Sequence, residues 1–118
     1  MVNLQYFYDF LQSLFPDAVD LIPEDFNYKN NDYVIEVNLG DNIKDKIYRD
    51  DIYLQIKVVG ALHNKFKILE KSQEIDKVLN NYIMKNKFWI IRENVYNTNF
   101  TDKDKYISVL MYTIRNYR

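Results

Sequence analysis

Over residues 47–60 the chain reads IYRDDIYLQIKVVG, and apolar and polar residues alternate along it until the glycine. Tyr48, Ile52, Leu54, Ile56 and Val58 share one parity, and Arg49, Asp51, Tyr53, Gln55 and Lys57 share the other. That is the period-two signature of a strand with one buried face and one wet face. The spacing predicts the central strand of a small sheet. After a short break at residues 61–64 the period becomes that of an amphipathic helix running to about Met84, so a long strand feeds one packing helix.

The rest of the chain supplies the partners of that unit. In residues 3–15, Leu4, Phe7, Tyr8, Leu11, Leu14 and Phe15 recur at helical spacing and Pro16 ends the element. Tyr6 and Phe10 form a second apolar strip, so this helix is expected to touch something on two sides. Residues 16–32 contain both prolines, Pro16 and Pro23, among Asp and Asn, and read as a connecting loop. Residues 33–39 alternate Tyr33, Ile35, Val37 and Leu39 against Val34, Glu36 and Asn38, which predicts a first strand punctuated by Gly40. The polar segment 40–46 then reads as a hairpin connection with a solvated, mobile tip.

The helix after Gly60 is expected to bury Ile68, Leu69, Ile75, Val78, Leu79, Tyr82 and Ile83, with Lys67, Glu70, Lys71, Glu74 and Lys77 facing water. Residues 88–100 and 106–117 form two more strand candidates joined by TDKDK as a second hairpin. Both parities of this hairpin are apolar. Trp89, Ile91, Val95, Ile107, Val109 and Met111 therefore need cover on the second face, from the other helix or from another subunit. The expected fold is a single α+β domain over residues 1–118, in the order α-β-β-α-β-β. Its mostly antiparallel sheet has about four strands packed against two helices.

Composition narrows the function classes. A chain of 118 residues buries roughly two-thirds of the surface its unfolded form exposes, enough for one real core. It has no cysteine, which excludes disulfides, thiolate metal sites and a Cys nucleophile, and which fits a reducing cytosol. Sixteen basic and seventeen acidic residues argue against a protein whose main task is gripping phosphates. No apolar run reaches the roughly 20 residues of a bilayer span, and the N-terminus has no basic leader region, so a soluble, cytoplasmic protein with no membrane partner is expected. Only two glycines and no phosphate-loop pattern make nucleotide cofactors improbable, and no cofactor is expected. Eleven tyrosines suit surfaces buried on assembly, although a coding bias toward Tyr, Asn, Lys and Ile would produce them too.

Taken together, a helix ending in the Phe-Pro turn of LQSLFPDA (11–18), a strand, a polar loop, the strand DDIYLQIKVVG (50–60), a periodic helix and a C-terminal hairpin resemble the tail terminator, or tail-completion, proteins of long-tailed bacteriophages, often labelled minor capsid proteins. The resemblance covers the chain in element order. At residue level it rests on the strand around Asp51, Gln55, Val58 and Gly60 and on the helix behind it.

It implies a non-enzymatic structural virion protein: a homohexameric ring at the head-proximal end of the tail tube that ends tube polymerisation and forms the head-tail joining surface. The implied partners are other copies of itself, the tail tube protein and the head-completion or connector protein, with DNA passing through the lumen without specific binding. The implied location is the virion tail, and the host cytoplasm during assembly. A ring uses heterologous contacts between unlike patches. The candidate interface residues are Tyr53, Gln55 and Lys57 on the solvent parity of the long strand, with Trp89, Ile91, Met111 and Tyr112 of the C-terminal hairpin. The loop with Asp41, Lys44, Asp45 and Lys46 is the candidate to face the lumen or the tube.

Two other classes compete. A metal-dependent nuclease would need an Asp and a Gln-x-Lys strand triplet converging on one phosphate. Gln55-Ile56-Lys57 has that spacing, with Asp41, Asp50 and Asp51 nearby, but Gln55 and Lys57 read more simply as a solvated strand face, and Asp50 and Asp51 point to opposite faces. His63, the single histidine, reads as a capping or surface residue before a helix. A small monomeric adaptor docking another phage or host protein through its aromatic surface differs from the ring in one observable, self-association.

Overall fold

The protein's structure is a computed structural model that describes residues 3–85 and 87–117. Its framework is one five-stranded antiparallel sheet with spatial order β1-β2-β5-β4-β3. The elements are α1 (Leu4–Leu14), β1 (Val34–Asp45), β2 (Arg49–Ala61), α2 (Lys65–Leu79), β3 (Tyr82–Met84), β4 (Phe88–Asp102) and β5 (Lys105–Tyr117). The expected α+β class, single sheet and two helices are present, with one more strand than expected.

The alternating segment is the middle of the sheet. β2 pairs with β1 on one side and β5 on the other, and Ile52, Leu54, Ile56 and Val58 are completely buried. β5 contributes Leu110, Tyr112 and Ile114 to the same face, and β1 contributes Ile35 and Val37. Both helices pack on this face. Phe7, Leu11 and Phe15 from the first helical segment and Ile68, Ile75 and Leu79 from α2 join the strand residues in one core. Cover for the second apolar parity therefore does not come from a helix.

Local chemistry accounts for the helix limits. Asn3 accepts from the Tyr6 N–H at 3.0 Å as the N-cap of α1. At the other end the Phe15 N–H returns to the Leu11 carbonyl, and Pro16 stops propagation. Of the second strip of α1, Phe10 is covered inside the molecule, meeting Tyr82 and Phe88 edge-on, each at 5.1 Å, while Tyr6 stays exposed at the rim of the same cluster. The second helix is shorter than its periodicity predicts. Asn80 closes it and Asn81 adopts φ of 62°, a left-handed conformation that Asn tolerates and that terminates helices. Tyr82, Ile83 and Met84 then form the edge strand β3 against Phe88–Ile90. As a result Ile83 is exposed, and Val78 also points away from the core.

The first hairpin also departs from expectation. Residues 41–45 continue β1 rather than forming a loop, and the turn falls at residues 46–48. Between Leu39 and Ile43 the register shifts, with three residues of β1 opposite the single β2 residue Tyr53. Gly40, at φ of 79°, sits in this bulge against Leu4 and does not end the strand. Gly60 likewise lies inside β2. A Cβ there would meet the Asp32 carbonyl oxygen at 2.5 Å, so glycine lets loop 16–32 pass tight against the strand. The long hairpins stretch the molecule to 46 × 26 × 21 Å.

Two substitutions test this packing. Ile56→Asp puts an unpaired carboxylate at a position with no solvent exposure, at a cost of several kcal/mol, and is expected to abolish the cooperative unfolding transition followed by circular dichroism. Gly60→Ala forces a backbone carbonyl to move and is expected to lower stability by about 1–3 kcal/mol in urea titration; an unchanged midpoint would show that loop 16–32 is free to retreat.

Candidate functional site

The face of the sheet opposite the helices carries the odd-numbered residues of β2 and β5 and the even-numbered residues of β1, as the strand registers require. One end of it is sealed. Val34, Val59 and Val109 are buried there. Loop 16–32 is tied to the β1 edge by a parallel bridge from Val19 to Glu36, whose carboxylate accepts from the Ile22 N–H at 3.0 Å and from the Asn38 amide at 3.0 Å. Tyr28 of this loop receives the Lys105 ammonium over its ring at 4.9 Å.

The other end is an open groove of about 660 Å³ between the tip of the β1-β2 hairpin and the bulged part of β4. Tyr53, Ile91, Met111 and Thr113 line it, with Lys44, Lys46, Arg49 and Arg115 around them. Asp51 is held by Lys46 at 3.2 Å and by Arg49 at 2.9 Å. Arg115 lies over the Trp89 ring at 5.1 Å. A bulge in β4, where residues 93–96 oppose only Met111, swings Glu93 toward the groove, and the Thr113 hydroxyl donates to it. Burial, then the negative charges of Glu93 and Asp41, hold the Tyr53 phenol above its ordinary pKa, so it stays neutral as a donor and apolar surface.

Of the residues singled out from the sequence, Tyr53, Gln55, Lys57, Trp89, Ile91 and Met111 share this face, each half-buried. Tyr112 does not. Adjacent strand residues face opposite ways, and Tyr112 is fully buried under α2. Lys44 and Lys46 reach the groove from a strand end and its turn rather than from a loop, and Asp41 lines a separate groove with Leu4, Tyr8 and Asp20. Asp45 pairs in register with Asp50 on the other parity.

The nuclease geometry is not assembled: Asp50 faces the core side, and Asp51 lies four residues from Gln55 along one face, about 13 Å away. Among the described residues no three His, Cys, Asp or Glu side chains gather around a possible metal position, and no helix is long and apolar enough to cross a membrane. His63 is exposed in the short turn before α2, and the N-cap is Asn64, whose side chain instead donates to the Asp32 carbonyl at 3.2 Å.

Sequence reasoning missed the polar clamp on the helix side. Asp76 of α2 accepts from the Tyr112 hydroxyl at 2.7 Å and pairs with the Arg92 guanidinium, which also stacks over Tyr96 at 4.0 Å. Burial would raise the Asp76 carboxyl, but the Arg92 and Tyr112 hydrogen bonds outweigh it and hold the group below the ordinary carboxylate range. Burial, then the hydrogen bond to Asp76, drives the Tyr112 phenol strongly upward. The available signal was Asp76 standing four and eight residues after Ser72 and Ile68, on the buried row of the helix. The clamp pins α2 to the bulged part of β4, which fixes one wall of the groove on the far side. Comparison of the chain with protein-family models, curated proteins and solved structures found no match.

Asp76→Asn keeps the shape and removes the charge, and is expected to cost about 2–3 kcal/mol at neutral pH. Because the folded-state value is depressed, the contribution of Asp76 is complete above the ordinary carboxylate range and is lost as pH falls below about 4. The stability difference between parent and variant in urea titrations should therefore shrink between neutral and acid pH; a constant difference would mean that the charge of Asp76 is not what the clamp uses.

Proposed function

We propose that this protein is a structural subunit that works as a homo-oligomeric ring, capping the head-proximal end of a phage tail tube and forming the surface on which the head joins. The observation that carries the reading is the one-sided sheet. Two helices share one face, while the opposite face keeps Tyr53, Ile91, Met111 and Trp89 half-buried beside an open groove. Aromatic and Met side chains on a face without helix cover are the composition of a surface completed by association.

Two further features support it. β3 pairs only with Phe88–Ile90, so the rest of the outer edge of β4 has no strand beside it among the described residues, and an open edge is a second patch able to meet a neighbour. The size also suffices. Two standard interfaces take about 800 Å² each, a modest part of the 7505 Å² surface of the subunit. In such a ring the groove and the open edge are unlike patches, as heterologous closure requires. No step of chemistry is assigned to the protein. Its work is to end a polymer by presenting a surface that the tube subunit does not have.

Light scattering over a range of concentrations, alone and with tail tubes as template, tests the reading. The expected mass is near six times the 14.4 kDa of the chain, with rings visible by electron microscopy. A monomer under both conditions would instead favour the adaptor. Tyr53→Asp is expected to keep the circular dichroism of the parent and weaken association by about tenfold or more; an unfolded variant would mean that the open face is part of the subunit core.

A further inference from the structure

Charge is spread unevenly along this chain. The first 28 residues hold five carboxylates and no lysine or arginine, so the remaining ninety carry a net charge of +4. Four of the five, Asp17, Asp20, Glu24 and Asp25, are exposed on the loop after α1, and none of them is in an ion pair among the described residues. Leu21 stands among them with 74% of its surface exposed. The segment is not a loose tail, because Val19 bridges to Glu36 and the Ile22 N–H is held by the Glu36 carboxylate. It is a supported acidic surface with a leucine at its centre.

The groove on the open face is its complement. Lys46 and Arg49 share the single carboxylate of Asp51, while Lys44 and Arg115 have no carboxylate partner among the described residues. Between these cations lie Tyr53, Ile91 and Met111, and Glu93, the other carboxylate of the groove, is engaged by the Thr113 hydroxyl. An apolar floor with a cationic rim fits an apolar side chain flanked by carboxylates.

The two surfaces do not meet within one molecule, although Asp20 reaches the β1 edge beside Asp41. The loop is tied to the sheet at the row of Glu36 and Lys57, and the groove begins four to eight residues along β2, about 13–26 Å away on a rigid strand. Loop and groove can meet only between copies, and a contact between unlike patches is the kind that closes a ring.

We infer that the acidic loop 17–25 of one copy docks into the Lys44, Arg49 and Arg115 groove of the next, with Leu21 against Tyr53, Ile91 and Met111. This rests on the ring reading and adds which two patches meet.

Charge exchange tests it, read as mass by sedimentation and light scattering with folding checked by circular dichroism. One variant carries Asp20→Lys and Glu24→Lys, the other Lys44→Glu and Arg115→Glu, at positions that are exposed or, for Arg115, half-buried. Each alone is expected to associate about tenfold or more weakly than the parent, and an equimolar mixture to recover assembly, because each variant's loop then matches the other's groove. Parent association should also weaken from about 0.05 M to about 1 M salt, where the Debye length falls to about 3 Å. Variants that assemble like the parent, or a mixture that stays dissociated, overturn the docking and leave the ring standing. A parent that never self-associates, alone or on tail tubes, overturns both.

Discussion

The pairing of β2 with β5 is the constraint on which the rest of the structure depends. It runs without a register shift from Arg49 opposite Tyr117 to Ala61 opposite Lys105. A slip of one residue would put Ile52, Leu54, Ile56 and Val58 on the face opposite Leu110, Tyr112 and Ile114 and split the core. That pair alone therefore decides which face the helices must cover. It also decides that Tyr53 and Met111 stand on the other face, and that Tyr112 reaches Asp76. The flanking strands are less strict: β1 and β4 each carry a bulge, and those bulges occur at the ends that line the groove.

The irregular elements are where the molecule gains shape. Gly40 and the shift beside it let β1 continue to Asp45 and carry Lys44 over the open face. The four-residue bulge of β4 sends Glu93 one way and Arg92 the other, and Arg92 is then fixed by Asp76 from above. Partly buried carboxylates held by hydrogen-bonded cations are sensitive to loss of either partner. The groove wall thus depends on a side chain of α2 on the opposite face of the sheet. Bulges near a recognition surface commonly serve to re-aim side chains in this way.

The polarity of the molecule follows from its strand layout. A negative loop is fastened at one end of the sheet and a cationic groove opens at the other, and the rigidity of β2 keeps them apart. A subunit of this kind has two unlike surfaces, and Asp51 and Glu93 offset only part of the positive charge of the groove. The proposed ring and the proposed loop-to-groove contact both draw on that separation, and neither requires chemistry at the site.

Much of this was legible in the chain. Period-two alternation at 47–60, the Phe-Pro stop of α1 and the doubly apolar C-terminal hairpin sufficed for the α+β class, the central strand and a surface in need of cover, because each is a local pattern tied to burial. Six of the seven interface candidates fell on one face for the same reason. Tyr112 was misassigned because both parities of its hairpin are greasy, and only the register with β2 separates them. Residues 82–84 extended a helical pattern until Asn81 turned left-handed, and β3 exists because Phe88–Ile90 offered an edge to pair with. The sequence by itself determined the buried parity of β2 and most of the buried stripe of each helix. Only the tertiary structure decided which elements share a face, where the bulges fall and that Asp76, Arg92 and Tyr112 meet, because those depend on contacts between residues far apart in the chain.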